Sequence, residues 1–305
     1  MQSKIAAYIT CYQDQKSANQ CIQAIENQSI QIHSIYIVDN SNQPLLLNSS
    51  KNILLIYHHP NNIGIGEGLA QALEWAISQE YDFLWTFDQD SIPTPNCLEI
   101  LLENYHKLFQ QDNYEIGILA PTAFDTRMSR VVESVIFAKD HFQGIPHNSD
   151  VDFYECDSPI TSGSLISIAA AKTIPVPRSD LFIDGVDFDY GLRLRMKGYH
   201  NIIIPQAMMI HHLGVPKRIK IFNKEMYIQE YSALRYYYMC RNHTYLETRF
   251  SQKIYRVTSL MRRFKSMLAK IFFILLYDSQ SKKLKIWACI LGIYHGLIGK
   301  LGKIW

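Results

Sequence analysis

The sequence predicts an α/β chain: a mostly parallel central sheet flanked by helices, followed by a basic helical extension. Three observations carry that expectation. Short apolar runs alternate with stretches of helical periodicity, polar and acidic residues cluster where those runs end, and charge is divided unevenly along the chain. The first two are the grammar of βαβ units, whose ligands bind outside the carboxyl ends of the strands.

The runs at 4–10 (KIAAYIT), 35–38 (IYIV), 53–57 (ILLIY) and 83–87 (FLWTF) read as strands. Between the first two, Cys21, Ile22 and Ile25 mark one side of a helix. Between the third and fourth, Leu69, Ala72, Leu73, Ala76 and Ile77 do the same at three- to four-residue spacing. Thr94 and Pro95 supply an N-cap and a first helical residue ahead of Leu98, Leu101, Leu102, Tyr105 and Leu108. Strand-like 116–120 follows, then a less regular stretch around 125–158, an apolar segment over 160–171, a helix from about 187 to 197, and strand-like 201–205.

With 305 residues, 48% of them hydrophobic and 19% charged, the chain is not a disordered polar one. The 30 Lys+Arg nearly balance the 28 Asp+Glu, but residues 249–305 hold 12 Lys+Arg against a single acid, Asp278. That tail is net +11, which leaves residues 1–248 at −9. Beyond Tyr227 the chain turns aromatic and basic, a mixture that on amphipathic helices suits an anionic membrane surface. A helical cap with merely solvated charges is the alternative. No nucleic-acid partner is expected, since nothing resembles a nucleic-acid module. No apolar run reaches the roughly 18 residues of a spanning helix, and residues 1–10 lack the basic start and long apolar core of a secretory signal. Six scattered cysteines without a CxxC pair argue against a zinc ribbon or disulfide framework and fit a reduced, cytoplasmic setting.

The strand ends carry the chemistry. Strand one ends at Thr10-Cys11-Tyr12, strand two at Asp39-Asn40-Ser41, strand three before His58–Ile63, and strand four at Asp88-Gln89-Asp90. Two acids two residues apart at a strand end can jointly hold a divalent cation and contact a ribose or phosphate. Asp39 reads either as a turn residue or as a carboxylate accepting the imide N–H of a pyrimidine base. The stretch 61–68 (NNIGIGEG) has neither the GxGxxG spacing nor the Lys of a P-loop, which argues against a dinucleotide oxidoreductase and a P-loop NTPase. A second acidic cluster, FIDGVDFDYGLR over 182–193, opens a helix, where acids also sit favourably for electrostatic reasons worth about 0.3–1 kcal/mol each. His211-His212 lies 24 residues beyond Asp187, and neighbours in an extended chain point apart, so the pair does not share one metal.

In order, YITCY, IVDNS, NNIGIGEGLAQAL, FDQDS, ITSGSLIS, FIDGVDFDYGLRLRMKGY, HHLG and YYYMCRNH resemble the inverting glycosyltransferases of family 2, with the GT-A fold, and most closely their bacterial rhamnosyltransferase branch. The resemblance covers roughly residues 5–245. It implies substrate contacts at Thr10, Tyr12, Asn62 and Gly64, with Asp39 on the base, Asp88 near the ribose, and Asp90 on an Mg²⁺ or Mn²⁺ that bridges the diphosphate. Related galactofuranosyltransferases carry a helix-opening Asp pair whose second member is the base, and a metal-binding His 24 residues later; these fall on Asp187 and His211. Val186 replaces the first member of that pair. Asp189 is then an acid for acceptor contact or helix positioning, with Arg193 one turn on as its partner. Gly163 is expected to let backbone approach the sugar, and Arg241 to add positive charge near the leaving group.

The implied reaction takes a sugar, L-rhamnose from dTDP-L-rhamnose or another from a UDP-sugar, to a glycan or lipid-linked glycan for bacterial surface polysaccharide. The implied location is cytoplasmic, peripheral on the inner membrane face. The expected division is a catalytic domain over 1–226, with its nucleotide-sugar part at about 1–120 and its acceptor part at about 121–226, and a basic helical region over 227–305. A sugar nucleotidyltransferase is the nearest rival, but its phosphate loop is Gly-rich whereas YITCYQDQ has no glycine. A non-catalytic, membrane-peripheral nucleotide-binding protein is the other, opposed by the intact Asp39, Asp88, Asp90, Asp187 and His211.

Overall fold

Seven residues of near-continuous apolar character, IAAYITC, form β1 (Ile5–Cys11), an interior strand of the main sheet with almost every side chain buried. The computed structural model describes residues 3–51, 53–111, 114–212, 214–221, 224–278 and 280–305. After β1 comes α1 (Gln15–Glu26), capped by Asp14, whose carboxylate accepts from the Ser17 amide at 3.0 Å. It turns Cys21, Ile22 and Ile25 inward. Strands β2 (Ser34–Asp39) and β3 (Leu54–His58) add in parallel to β1. Helix α2 (Gly64–Ser78) then lies so close to the sheet that a Cβ on Gly68 would come within 2.6 Å of the Tyr8 hydroxyl.

Strand β4 (Phe83–Asp88) pairs in parallel with β1, and a three-residue strand, β5 (Ser91–Pro93), follows it at once. Helix α3 spans Cys97–Gln111. It starts two residues later than Thr94 and Pro95 predict, because residues 94–97 close a turn in which the Cys97 amide donates to the Thr94 carbonyl at 2.9 Å. Strand β6 (Ile116–Asp125) is longer than its apolar run. The stretch without clear periodicity contains the short strands β7 (Arg130–Val131), β8 (Val135–Phe137), β9 (Phe142–Gly144) and β10 (Tyr154–Cys156). The apolar segment over 160–171 resolves into β11 (Leu165–Ser167) and a single turn, α4 (Ile168–Ala171). Helix α5 (Val186–Lys197) and the long strand β12 (His200–His211) follow.

Among the described residues these strands, apart from β8 and β9, which pair with each other, form one sheet in the order β10-β12-β6-β11-β4-β1-β2-β3, with β5 on β12 and β7 on β6. It is mostly parallel. Within it β11 runs antiparallel to both β4 and β6, and the short strands β10, β5 and β7 add antiparallel to β12, β12 and β6. One face carries the main core, where Trp85, Phe87, Ile9 and Ile37 meet Leu98 and Leu101 of α3 and Ile22 of α1.

Two compact units emerge: 1–136 with 144–179 and 187–212, and 213–305 with 137–143 and 180–186. The second opens with an antiparallel hairpin of β13 (Val215–Ile221) and β14 (Lys224–Glu230). It continues with α6 (Ala233–Phe250), α7 (Tyr255–Tyr277) and α8 (Lys282–Ile298). The hairpin joins the helices here, ahead of the boundary at 227 expected from composition, because Lys217 reaches the Tyr277 carbonyl at 2.6 Å. The core of this unit consists of Tyr237, Tyr238 and Cys240 of α6, Ile274 of α7, and Ala288, Cys289 and Ile293 of α8.

Candidate active site

Register places the strand ends side by side. Thr10 of β1 is level with Asp88 of β4, Cys11 with Asp39 of β2, and Asp39 with His58 of β3. With neighbouring strands about 4.8 Å apart, Asp39 and Asp88 stand about 10 Å from each other across β1. Gln89, which the sequence reading passes over as the spacer of the triplet, locks two of these ends together. Its amide donates to the Thr10 carbonyl at 3.2 Å, and its side chain both accepts from the Tyr12 amide at 2.7 Å and donates to the Tyr12 carbonyl at 3.0 Å. The Tyr12 ring stays about half exposed beside that clamp.

Asp88 is oriented by Ser162: the hydroxyl accepts from the Asp88 amide and donates to its carboxylate, both at 2.9 Å. The step from Asp88 to Asp90 is short, and β5 then returns along the end of β12, opposing Ser91 to His211. The Ser91 hydroxyl and His211 Nδ1 are 2.9 Å apart, and Asp90 Oδ1 lies 3.6 Å from the same nitrogen. Asp88, Asp90 and His211 thus offer ligand atoms that all fall within 4.8 Å of one another. Two carboxylate oxygens and an imidazole nitrogen at this spacing fit a divalent cation of the Mg²⁺ or Mn²⁺ type. The electrostatics agree. Burial, with the Asp88 charge adding, pushes the Asp90 carboxyl up to about 6 against the pull of His211 and Arg127, so negative charge is crowded there.

His212 points the other way, within 3.0 Å of the Thr126 hydroxyl, as alternation along an extended chain requires. Arg127, unremarked in the sequence, forks onto Asp125 at 3.2 and 3.0 Å, and its charge reaches both Asp90 and His212. It sits in a turn after β6 where no local periodicity could mark it. Leu213 of the HHLG run lies outside the described residues.

Asp39 is buried, its two oxygens accepting from the Ser41 amide at 3.0 Å and the Leu45 amide at 2.8 Å. It shapes the loop beyond β2. Asn40 extends that shape to the next crossover by accepting from the Ile63 amide at 2.9 Å, while Asn62 accepts from the Gly64 amide at 2.9 Å, at the start of α2. Asp187 lies in the first turn of α5, half-buried, with one oxygen accepting from the Phe188 amide at 3.0 Å. Asp189, one half-turn on, is 2% exposed and held by Arg193 at 2.8 Å. The Arg193 guanidinium also donates to the carbonyls of Pro175 at 2.6 Å and Val176 at 3.1 Å. Of the two acids, the pair therefore occupies Asp189 in fastening α5 to the 175–176 loop.

Two residues expected at the substrate are engaged within the protein itself. Gly163 has φ +80°, and a Cβ there would meet Met209 Sδ and Pro121 Cγ at 2.6 Å, so backbone conformation and packing by themselves require glycine. Arg241 is fully buried in the second unit, and its guanidinium donates to the carbonyls of Gly302 at 2.5 Å, Asp180 at 3.0 Å and Leu181 at 2.9 Å and to Asn242 Oδ1 at 2.7 Å. Four of its five N–H donors are thus committed to acceptors within the protein, and the side chain has no exposed surface. Asn242 adds three bonds to the carbonyls of Leu181, Ile183 and Asp184, so the Arg-Asn pair grips the turn in which Phe182, Asp184 and Gly185 all take positive φ. Arg241→Lys keeps the charge but not the planar fork, and is expected to cost about 2–4 kcal/mol by urea unfolding because several buried carbonyls lose their donors.

Residues 7–116 match the family model described as glycosyl transferase family 2. Over 249 residues the chain is 27% identical to the dTDP-rhamnosyl transferase RfbF of Shigella flexneri, covering 79% of each. Among solved structures, GalNAc-T7 with UDP, GalNAc and Mn²⁺ superposes with a TM-score of 0.56 at 10% identity, over 70% of this chain and 44% of that one. TarS residues 1–349 of S. aureus, in complex with UDP, give 0.54 at 12% identity, over 90% and 75%. At these identities the likeness is one of fold, the GT-A fold. Residues 7–116 accordingly carry the sequence pattern of glycosyltransferase family 2, the chain as a whole is rhamnosyltransferase-like, and its fold is GT-A, which together support an enzyme of sugar transfer.

Proposed function

We propose that the protein transfers L-rhamnose from dTDP-L-rhamnose to a hydroxyl of a saccharide or lipid-linked glycan, with inversion and with a divalent cation, in bacterial surface polysaccharide synthesis. The observation that carries this reading is the Asp88, Asp90 and His211 cluster at the end of β4 and β12, two strands from Asp39. Support for the donor comes from the activity named for the Shigella relative.

A nucleoside diphosphate-sugar laid across the strand ends would set its base over the loop shaped by Asp39, with Thr10, Tyr12, Asn62 and Gly64 along its path. Its diphosphate would then face the acidic cluster, where Asp88, Asp90 and His211 would hold the cation. Such a cation supplies Lewis-acid neutralisation of the charge that the departing diphosphate gains. Asp187 accepts the proton of the acceptor hydroxyl as that oxygen bonds to the anomeric carbon. The bond from that carbon to the diphosphate oxygen breaks in the same displacement, its electron pair leaving with dTDP, and one displacement inverts the centre. The enzyme would work in the cytoplasm, peripheral to the membrane that presents a lipid-linked acceptor.

Incubation with dTDP-L-rhamnose, UDP-galactofuranose and UDP-glucose, with Mg²⁺ or Mn²⁺ and a glycan acceptor, tests this. Release of dTDP with an NMR-verified inverted linkage is expected. Turnover with a UDP-sugar alone would replace the donor, a retained configuration would remove the single displacement, and pyrophosphate-dependent exchange would make the protein a nucleotidyltransferase.

A further inference from the structure

Helix α7 carries an apolar stripe that faces solvent. Val257, Met261, Phe264, Leu268, Phe272 and Leu275 follow one another at steps of three and four, and each is 44–60% exposed. At 100° per residue they fall within an arc of about 80°, on a helix about 34 Å long. The stripe is not a packing failure, because α7 has a separate inner side that buries Ser259, Arg263 and Ile274. Helix α8 repeats the arrangement. Its inner side is fixed against α6, where a Cβ on Gly292 or Gly296 would meet the Tyr237 or Arg241 carbonyl oxygen at 2.5 or 2.4 Å. Its outer side leaves Leu284, Trp287, Tyr294 and Ile298 about half exposed. Monomeric soluble proteins rarely leave apolar surface this continuous uncovered.

Charge decides what covers it. Lys253, Lys265, Lys283, Lys300 and Lys303 are exposed in this segment. Its only acid, Asp278, is buried and held by Lys285 at 2.6 Å, so the exposed charge is wholly basic. A second copy of the chain would bring two such positive surfaces together, which like-charge repulsion opposes. An anionic lipid surface meets both features, taking the aromatic and aliphatic side chains among its headgroups and the lysines at its phosphates. No described helix is long and apolar enough to cross a bilayer, so the helices would lie on it.

We propose that the outer stripes of α7 and α8 form a docking surface for a bilayer containing anionic lipid. This deepens the reading of a membrane-presented acceptor but stands on surface chemistry that is independent of the donor. The core of the second unit needs these helices, so truncation would confuse docking with folding; point substitutions on the stripe separate the two. Flotation of the full chain with phosphatidylcholine vesicles, with and without phosphatidylglycerol, is the test. Binding is expected only with phosphatidylglycerol, weakening with salt. F264E/L268E/F272E is expected to lower the bound fraction at least about tenfold with an unchanged melting temperature and unchanged donor hydrolysis. K265Q/K283Q/K300Q is expected to retain the fold and lose most of the salt-sensitive part. Wild-type-like flotation of both variants, absence of binding at every phosphatidylglycerol fraction, or a wild-type dimer that the Glu substitutions dissociate would overturn the proposal. Docking that persists while dTDP-L-rhamnose proves inert would leave the surface standing and remove only the donor.

Discussion

Asp90→Ala is expected to lower sugar transfer by about a thousandfold or more, the scale on which removing a group that stabilises developing charge acts. The loss should be of the EDTA-sensitive activity, and the fold should survive it. The reason is the sign of the Asp90 shift. Its carboxyl is pushed up to about 6 by burial and by Asp88, above an ordinary value near 3.9. A group whose folded value is raised lends stability below its unfolded value and loses it as pH rises through the folded one. At pH 7.5 the ionised Asp90 is thus a cost to the empty site, and removing it should leave the melting temperature unchanged or slightly higher. The same sign governs the metal. Protons compete with the cation for this oxygen, so Mn²⁺ affinity should fall about tenfold per unit as pH drops below about 6. Mn²⁺ should raise the melting temperature of the wild type more at pH 7.5 than at pH 5, and that of Asp90→Ala at neither. Wild-type transfer that withstands EDTA, or a metal-induced stabilisation retained in Asp90→Ala, would remove Asp90 from the cation site.

Asp187→Asn should reduce turnover by about a hundredfold or more, the scale of lost general-base catalysis, while donor affinity stays within a few-fold. Asparagine keeps the volume and can still accept from the Phe188 amide, so α5 should begin as before. The informative contrast is Asp189→Asn. Asp189 is buried against Arg193, and neutralising it leaves that guanidinium short of its counter-charge; the expected cost is about 2 kcal/mol of stability. The 3–5 kcal/mol of a fully buried pair is too much here, because Arg193 is 20% exposed and keeps two backbone carbonyls. Urea unfolding and single-turnover kinetics on both variants separate the roles. If Asp189→Asn lost turnover at unchanged stability while Asp187→Asn reacted normally, the base would be the other carboxylate.

The sequence by itself determined the sheet-forming segments from 5 to 88, the inward sides of α1 and α2, and the arrival of Thr10, Asp39, Asp88 and Asp90 at one edge. Those follow from local periodicity and from the geometry of parallel strands, which put every carboxyl end on the same side. It also determined that the last 57 residues are basic and aromatic. Only the tertiary structure decided the contacts between distant segments. A three-residue strand such as Ser91–Pro93 has no periodicity to read, yet its pairing with β12 brings Ser91 to His211 across 120 residues and completes the acidic cluster. The insertion of β11 between β4 and β6 sets Ser162 on Asp88 in the same way, 74 residues apart. Residue type misled where burial reversed its usual meaning. Arginine in a glycosyltransferase-like motif suggests ligand contact, but Arg241 is buried and ties three backbone carbonyls. A one-dimensional pattern carries which faces are apolar; which polar groups those faces enclose, and which apolar faces remain open as on α7, depends on chain segments that meet only once the fold has closed.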